Sequence, residues 1–187
     1  KTVDISKNTG IDERGNWWSE DKNIFNITAD LKGIREGEVV IYAGFHELTP
    51  DYASKEFKTF MEYLLDKYKH IKLDGVGWDE PGTPGSFDYY KLSPYVCRKF
   101  KKYNGYDILD KLYMLDYESE GCGKVRYGYY LTLRNMLYEA QHNFVRYARK
   151  IWGKDIYSGV HHTWVGEGTS DDLTIGSIDY FYLSRNL

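Results

Sequence analysis

The chain has 187 residues, enough for one ordinary domain but short of the roughly 250 that a closed (β/α)8 barrel takes. Its 42% hydrophobic and 28% charged residues exclude a disordered polyelectrolyte, and a formal net charge of −3 excludes the basic surplus of a nucleic-acid binder. No signal-peptide pattern and no run of about 18 apolar residues occurs, so no membrane span is expected.

Residues 1–37 are polar and rich in turn formers, with a short strand predicted over residues 23–28. The compact apolar run at residues 38–45 reads as a buried strand of parallel type and carries His46 and Glu47 at its C-terminal end. Thr49-Pro50 then signals a helix start. Phe57, Phe60, Met61, Leu64, Leu65 and Tyr68 recur at helical spacing, so a helix is predicted over residues 51–68. A second strand is predicted over residues 71–78, which completes a β-α-β unit.

Beyond Pro81 the pattern turns helical. One helix is expected from Pro94 to Tyr103, ended by Asn104-Gly105. A short one is expected over residues 108–115, and a long one over residues 125–151 with Tyr130, Leu133, Leu137, Phe144, Val145 and Ala148 facing inward. Further strands are predicted over residues 155–161 and 178–183. The order is that of an α/β fold with parallel strands. Two parts follow: an irregular N-terminal segment, 1–37, and a partial (β/α) barrel catalytic region, 38–187.

The C-terminal ends of parallel strands build active sites. Three predicted strand ends carry polar residues beside aromatics: His46-Glu47, Trp78-Asp79-Glu80, and His161-His162-Thr163-Trp164 followed by Glu167. In the second, Pro81 holds Glu80 in extended backbone. Two adjacent acids beside an indole suit general acid–base chemistry, since like-charge repulsion and desolvation both raise a carboxyl pKa. A helix or turn cap is the plainer use of Asp79 and Glu80. Gly75 and Gly77 inside the strand mark a bulge or a close approach of backbone or ligand. Asp74, in mid-strand, is expected to be buried and paired.

Only one of His161 and His162 can face a pocket, because strand neighbours point to opposite faces. Glu167 is either the second carboxylate or a solvated loop acid. The 19 Tyr, 5 Trp and 8 Phe suit the apolar faces and hydroxyls of sugars. Cys97 and Cys122 match no zinc or redox spacing. The cluster Arg98-Lys99-Phe100-Lys101-Lys102 reads as the solvated face of a helix.

The run Leu73-Asp-Gly-Val-Gly-Trp-Asp-Glu-Pro-Gly82 resembles the strand-end signature of the large barrel glycoside hydrolases of family 106, the α-L-rhamnosidase type, and related glycosidases. So do Asp51 to Glu56, Phe100 to Leu109, Val125 to Thr132, and the Ser158-Gly159-Val160-His161 stretch. The likeness spans roughly residues 40 to 170. It implies a (β/α)8 TIM-barrel-like fold, glycosidic bond hydrolysis, and Glu80 as acid or base. It favours an extracellular or periplasmic location and allows calcium near the site, although no calcium-loop motif is present. Val160 between Gly159 and His161 departs from the pattern, as does the later position of Glu167.

The expected function is therefore hydrolysis of a poly- or oligosaccharide, with Glu80 and Glu167 as the catalytic carboxylates. Trp78, Asp79, His46, His161 and Trp164 are the expected substrate-binding residues. No metal or other cofactor is required by these residues. The expected partners are the carbohydrate and the remainder of the protein, or another chain, that completes the barrel. A non-catalytic carbohydrate-binding barrel is the alternative. A metal-dependent hydrolase using His46, His161 and Glu80 is a third reading.

Overall fold

A computed structural model describes residues 9–14, 24–29, 40–42, 44, 50–78 and 90–160. The chain divides into two compact units, Lys1–Phe45 and His46–Leu187.

In the first unit β1 (Thr9–Arg14) pairs antiparallel with β2 (Ile24–Ala29), in a register that sets Thr9 opposite Ala29 and Arg14 opposite Ile24. The strand expected near residues 23–28 is therefore present. Its partner escapes a search for apolar alternation because Ile11 is the one aliphatic residue in Thr9–Arg14. The strand expected over residues 38–45 is not found at its described positions. Val40, Ile41 and Tyr42 lie outside any strand and are 37%, 45% and 39% exposed. An apolar run becomes a strand only where a ladder partner takes its N–H and C=O groups.

The second unit opens on α1 (Lys55–Tyr68). It begins later than expected because residues 51–54 form a turn. The Asp51 carboxylate accepts from the Ala53 N–H at 3.0 Å, and the Asp51 carbonyl accepts from the Ser54 N–H at 3.0 Å. Ser54 is then the N-cap, its Oγ accepting from the Phe57 N–H at 2.9 Å. The following strand, β3 (Gly75–Trp78), is shorter than the predicted 71–78. Next come α2 (Pro94–Asn104), a 3₁₀ helix (Leu109–Leu115), α3 (Cys122–Trp152) and β4 (Tyr157–Val160).

α2 follows its sequence signals: Ser93 caps its N-terminus, Pro94 opens it, and Gly105 ends it at φ 83°, a conformation that costs glycine nothing. α3 begins at Cys122, ahead of the expected Val125, because the Gly121 carbonyl accepts from the Lys124 and Val125 N–H groups.

β3 and β4 pair in parallel, with Gly75 opposite Tyr157 and Trp78 opposite Val160. The β-α-β connection among the described residues is thus β3, the three intervening helices, and β4. Gly77 faces Gly159 in this register, and a Cβ on Gly77 would meet the Gly159 carbonyl oxygen at 3.3 Å. The glycines that suggested a bulge or ligand approach therefore sit at a close approach of two backbones.

Two apolar clusters share α3. The first joins Val96 and Phe100 of α2, Ile108, Leu112, Met114 and Leu115 around the 3₁₀ helix, and Val125, Tyr129, Leu133 and Met136 of α3. The second joins Leu65 of α1 to Phe144, Val145 and Ala148 of α3, with Met61, Val76, Trp78 and Trp152 packed against it.

Candidate functional site at the ends of the parallel strands

Because β3 and β4 run parallel with Trp78 opposite Val160, the chain leaves both strands at the same end. The next residues in sequence are Asp79 and His161. Asp79, Glu80, His46, His161, Trp164 and Glu167 all lie outside the described residues, and Trp78 lies within them. Asp74 does not occupy a buried mid-strand position. It precedes β3 and is exposed, and its carbonyl accepts from the Tyr157 N–H at 3.0 Å. Water solvates this carboxylate, so it needs no buried partner.

Trp78 is half-buried in an aromatic cluster. Its ring centroid lies 5.8 Å from that of Tyr52, 6.0 Å from Phe57 and 5.6 Å from Phe144. The Phe57 and Phe144 contacts are edge-on, the favourable aromatic arrangement. Burial pushes the Tyr52 hydroxyl above its ordinary pKa. These neighbours account for much of the indole surface. The indole Nε1, however, is buried without a hydrogen-bond partner.

The course of α3 past this point is set by its contacts. Near the start of β3, the Trp152 Nε1–H donates to the Ile71 carbonyl at 2.8 Å. At the end of β3, Phe144 meets Trp78. The helix has 31 residues, about 46 Å at 1.5 Å per residue. Its N-terminal part therefore extends beyond the exits of β3 and β4, carrying α2 and the 3₁₀ helix with it. From Gly128 to Gln141 no residue of α3 is exposed.

This overhanging part is held by specific polar ties. Arg126 Nε donates to the Met114 and Leu115 carbonyls at 3.1 and 3.0 Å, and its Nη1 pairs with Glu118 at 2.5 Å. Hydrogen bonding to Arg126 holds the Glu118 carboxyl below its ordinary pKa. The buried Tyr129 hydroxyl donates to the Lys91 carbonyl at 3.1 Å, and burial pushes its pKa far up.

One residue on α3 went unnoticed in the sequence. Gln141 is 2% exposed, and neither its Nε2 nor its Oε1 has a hydrogen-bond partner. The signal was legible: Gln141 stands four residues after Leu137 and four before Val145, inside an otherwise apolar helical stripe.

A groove of about 160 Å³ lies between α1 and α3, lined by Tyr52, Phe57, Met61, Glu139, Phe144 and Tyr147 among others. Several of its polar groups are already engaged. Glu62 pairs with Lys58 at 2.7 Å, Glu139 with Lys99 and the Tyr103 hydroxyl, and the Tyr147 hydroxyl donates to Asp66 at 3.1 Å. Burial works to raise the Glu139 carboxyl, and the Lys99 and Tyr103 hydrogen bonds outweigh it, leaving the pKa low. A carboxylate so held is a poor proton donor near neutral pH.

Cys97 and Cys122 are free thiols, and burial raises the Cys97 pKa. Among the described residues no three His, Cys, Asp or Glu side chains converge as metal ligands. No described helix is long and apolar enough to cross a membrane. In comparisons with known proteins the chain has no significant match to a family model, a curated protein or a solved structure.

Proposed function

We propose that the protein is a glycoside hydrolase whose reaction takes place at the common exit of β3 and β4. The observation that carries this reading is the parallel register of Trp78 with Val160. It starts the Asp79-Glu80 and His161 segments from one edge of one sheet, where α/β folds gather their chemistry. The composition supports the substrate class, since Tyr and Trp match the flat apolar faces and hydroxyl rims of sugars. The resemblance to family 106 glycosidases rests on the quoted motifs alone.

In this reading Glu80 protonates the leaving oxygen or activates water, and Glu167 or an acid on a further strand takes the other role. Asp79, His46 and His161 hydrogen-bond the sugar, and Trp164 stacks on it. Carboxyl groups about 5 Å apart give retention of configuration, and about 6.5–9.5 Å give inversion. Additional strands, from the rest of the protein or another chain, extend the β3–β4 pair into a (β/α) barrel.

The test is Glu80→Gln, assayed on a panel of aryl glycosides and oligosaccharides with circular dichroism as the control for folding. A loss of about 10²–10⁴-fold in kcat is expected, the usual contribution of a general acid or base. A folded Glu80→Gln protein with wild-type turnover overturns the assignment. Sugar binding without turnover in the wild type identifies a non-catalytic carbohydrate-binding barrel instead.

A further inference from the structure

The apolar residues spaced along α1 divide between two surfaces. Phe57, Met61 and Leu65 turn toward Trp78 and the cluster that holds Phe144, Val145 and Ala148. Phe60, Leu64 and Tyr68 form a neighbouring row at four-residue spacing and are 56%, 36% and 50% exposed. Tyr63 flanks this row at 56% exposed, and Ile71 prolongs it past the helix end at 42%. None of the five lines the groove between α1 and α3. Ile71 is held in place, since its N–H donates to the Tyr68 carbonyl at 2.9 Å and its carbonyl accepts from the Trp152 Nε1–H at 2.8 Å.

The outward row is its own complement. Phe60 and Tyr68 stand four residues either side of Leu64. A second copy turned end for end about Leu64 therefore sets Phe60 against Tyr68 and Tyr68 against Phe60, the reciprocal contact of a two-fold interface. The same turn sets Glu56 against Lys72, eight residues either side of Leu64. Both side chains are exposed and their charges are opposite. A parallel pairing sets like charges together instead, and it also aligns the two helix dipoles unfavourably. Rows at four-residue spacing are the commonest ridges by which helices pack, crossing at about −50°.

The size of the surface fits. At these exposures the five side chains leave roughly 500 Å² in water, so two copies cover about 1,000 Å² between them, the lower limit for a specific interface. Apolar patches of this extent on soluble proteins commonly mark contact surfaces.

We propose that α1 is the interface of a symmetric homodimer. The Phe60–Leu64–Tyr68 rows of two copies pack antiparallel about a two-fold axis at Leu64, and Glu56 of each copy pairs with Lys72 of the other. The contact concerns α1 alone and is independent of the hydrolase reading of the strand exits.

The experiment is sedimentation velocity of the chain over a range of concentrations, with circular dichroism as the control for folding. A species of twice 22.0 kDa is expected, its fraction rising with concentration. Leu64→Glu sets two carboxylates face to face on the axis and is expected to weaken the dimer about tenfold or more. Lys72→Glu is expected to weaken it less, and adding Glu56→Lys to restore it, because the pair is then reversed and intact. Leu64→Cys is expected to cross-link to its own counterpart under mild oxidation, above any background from Cys97, whereas Thr59→Cys, on another side of the helix, is not. Should Leu64→Glu fail to fold, the cross-link decides.

A chain that stays monomeric at every concentration overturns the proposal and leaves the row to the strands and helices that complete the barrel. A dimer indifferent to Leu64→Glu, or one in which Leu64→Cys does not cross-link, overturns it by placing the contact elsewhere. A double variant as weak as Lys72→Glu alone overturns the antiparallel register.

Discussion

The two clusters along α3 are held together by different means. Around α2 and the 3₁₀ helix, the Tyr129 hydroxyl and the Arg126 Nε end on main-chain carbonyls, and Thr132 Oγ1 donates to the Gly128 carbonyl at 2.7 Å. Around α1 and β3 the packing is aromatic, with Trp78 edge-on to both Phe57 and Phe144, while buried polar atoms without partners occur along the whole of this helical spine, at Ser119 and Asn135 as well as at Trp78 and Gln141. Each orphaned group costs about 1–3 kcal/mol, in either region.

The contrast breaks most visibly at Phe100, which is fully buried in the helical cluster. Phe100→Ala is expected to cost about 3–5 kcal/mol, read as a lower denaturant midpoint, with no direct effect on sugar contacts. A midpoint within error of wild type would show that this cluster contributes little.

A finer probe is the crossing of α2 and α3. A Cβ at Gly128 would stand 2.3 Å from Asn104 Oδ1, whose amide nitrogen donates to the Phe100 carbonyl at 3.0 Å. Gly128→Ala gains about 1 kcal/mol of helix propensity, and the overlap is expected to exceed that, for a net loss of about 1–2 kcal/mol. Adding Asn104→Ala is expected to return most of it. Additive losses in the double variant would place the cost elsewhere than in this contact.

The smallest effect concerns acid. Glu139 has its pKa lowered in the folded protein, so its contribution to stability is full above the unfolded carboxyl value, about 4.3, and fades as pH falls through the folded value. The pair with Lys99 is partly solvated, which keeps the contribution within about 1 kcal/mol. Glu139→Gln is expected to lower Tm slightly at pH 7 and to match wild type near pH 3. A Tm difference that grows toward low pH would reverse this assignment.

The helices were the most readable part of the chain. Pro94 and Asn104-Gly105 bracket α2, and the long apolar periodicity ends at Gly153, because local geometry sets helix ends. The start of α1 was misplaced because Thr49-Pro50 suits a helix start, and only the folded turn over residues 51–54 shows that Ser54 is the N-cap. The strand expected over residues 38–45 illustrates the converse. Its composition favours a strand, but pairing is a property of two segments. The motif reading passed over Gln141, since a single polar residue in an apolar stripe reads as a gap until its burial is known.

The unbroken length of α3 ties these matters together. Its C-terminal turns complete the core beneath β3, and its N-terminal turns form the spine of the helical region above. Neither half can rotate or slide without the other, because an α-helix transmits torsion along its axis with little give. A load taken up by the helical region is therefore carried into the core beneath β3 by one continuous rod.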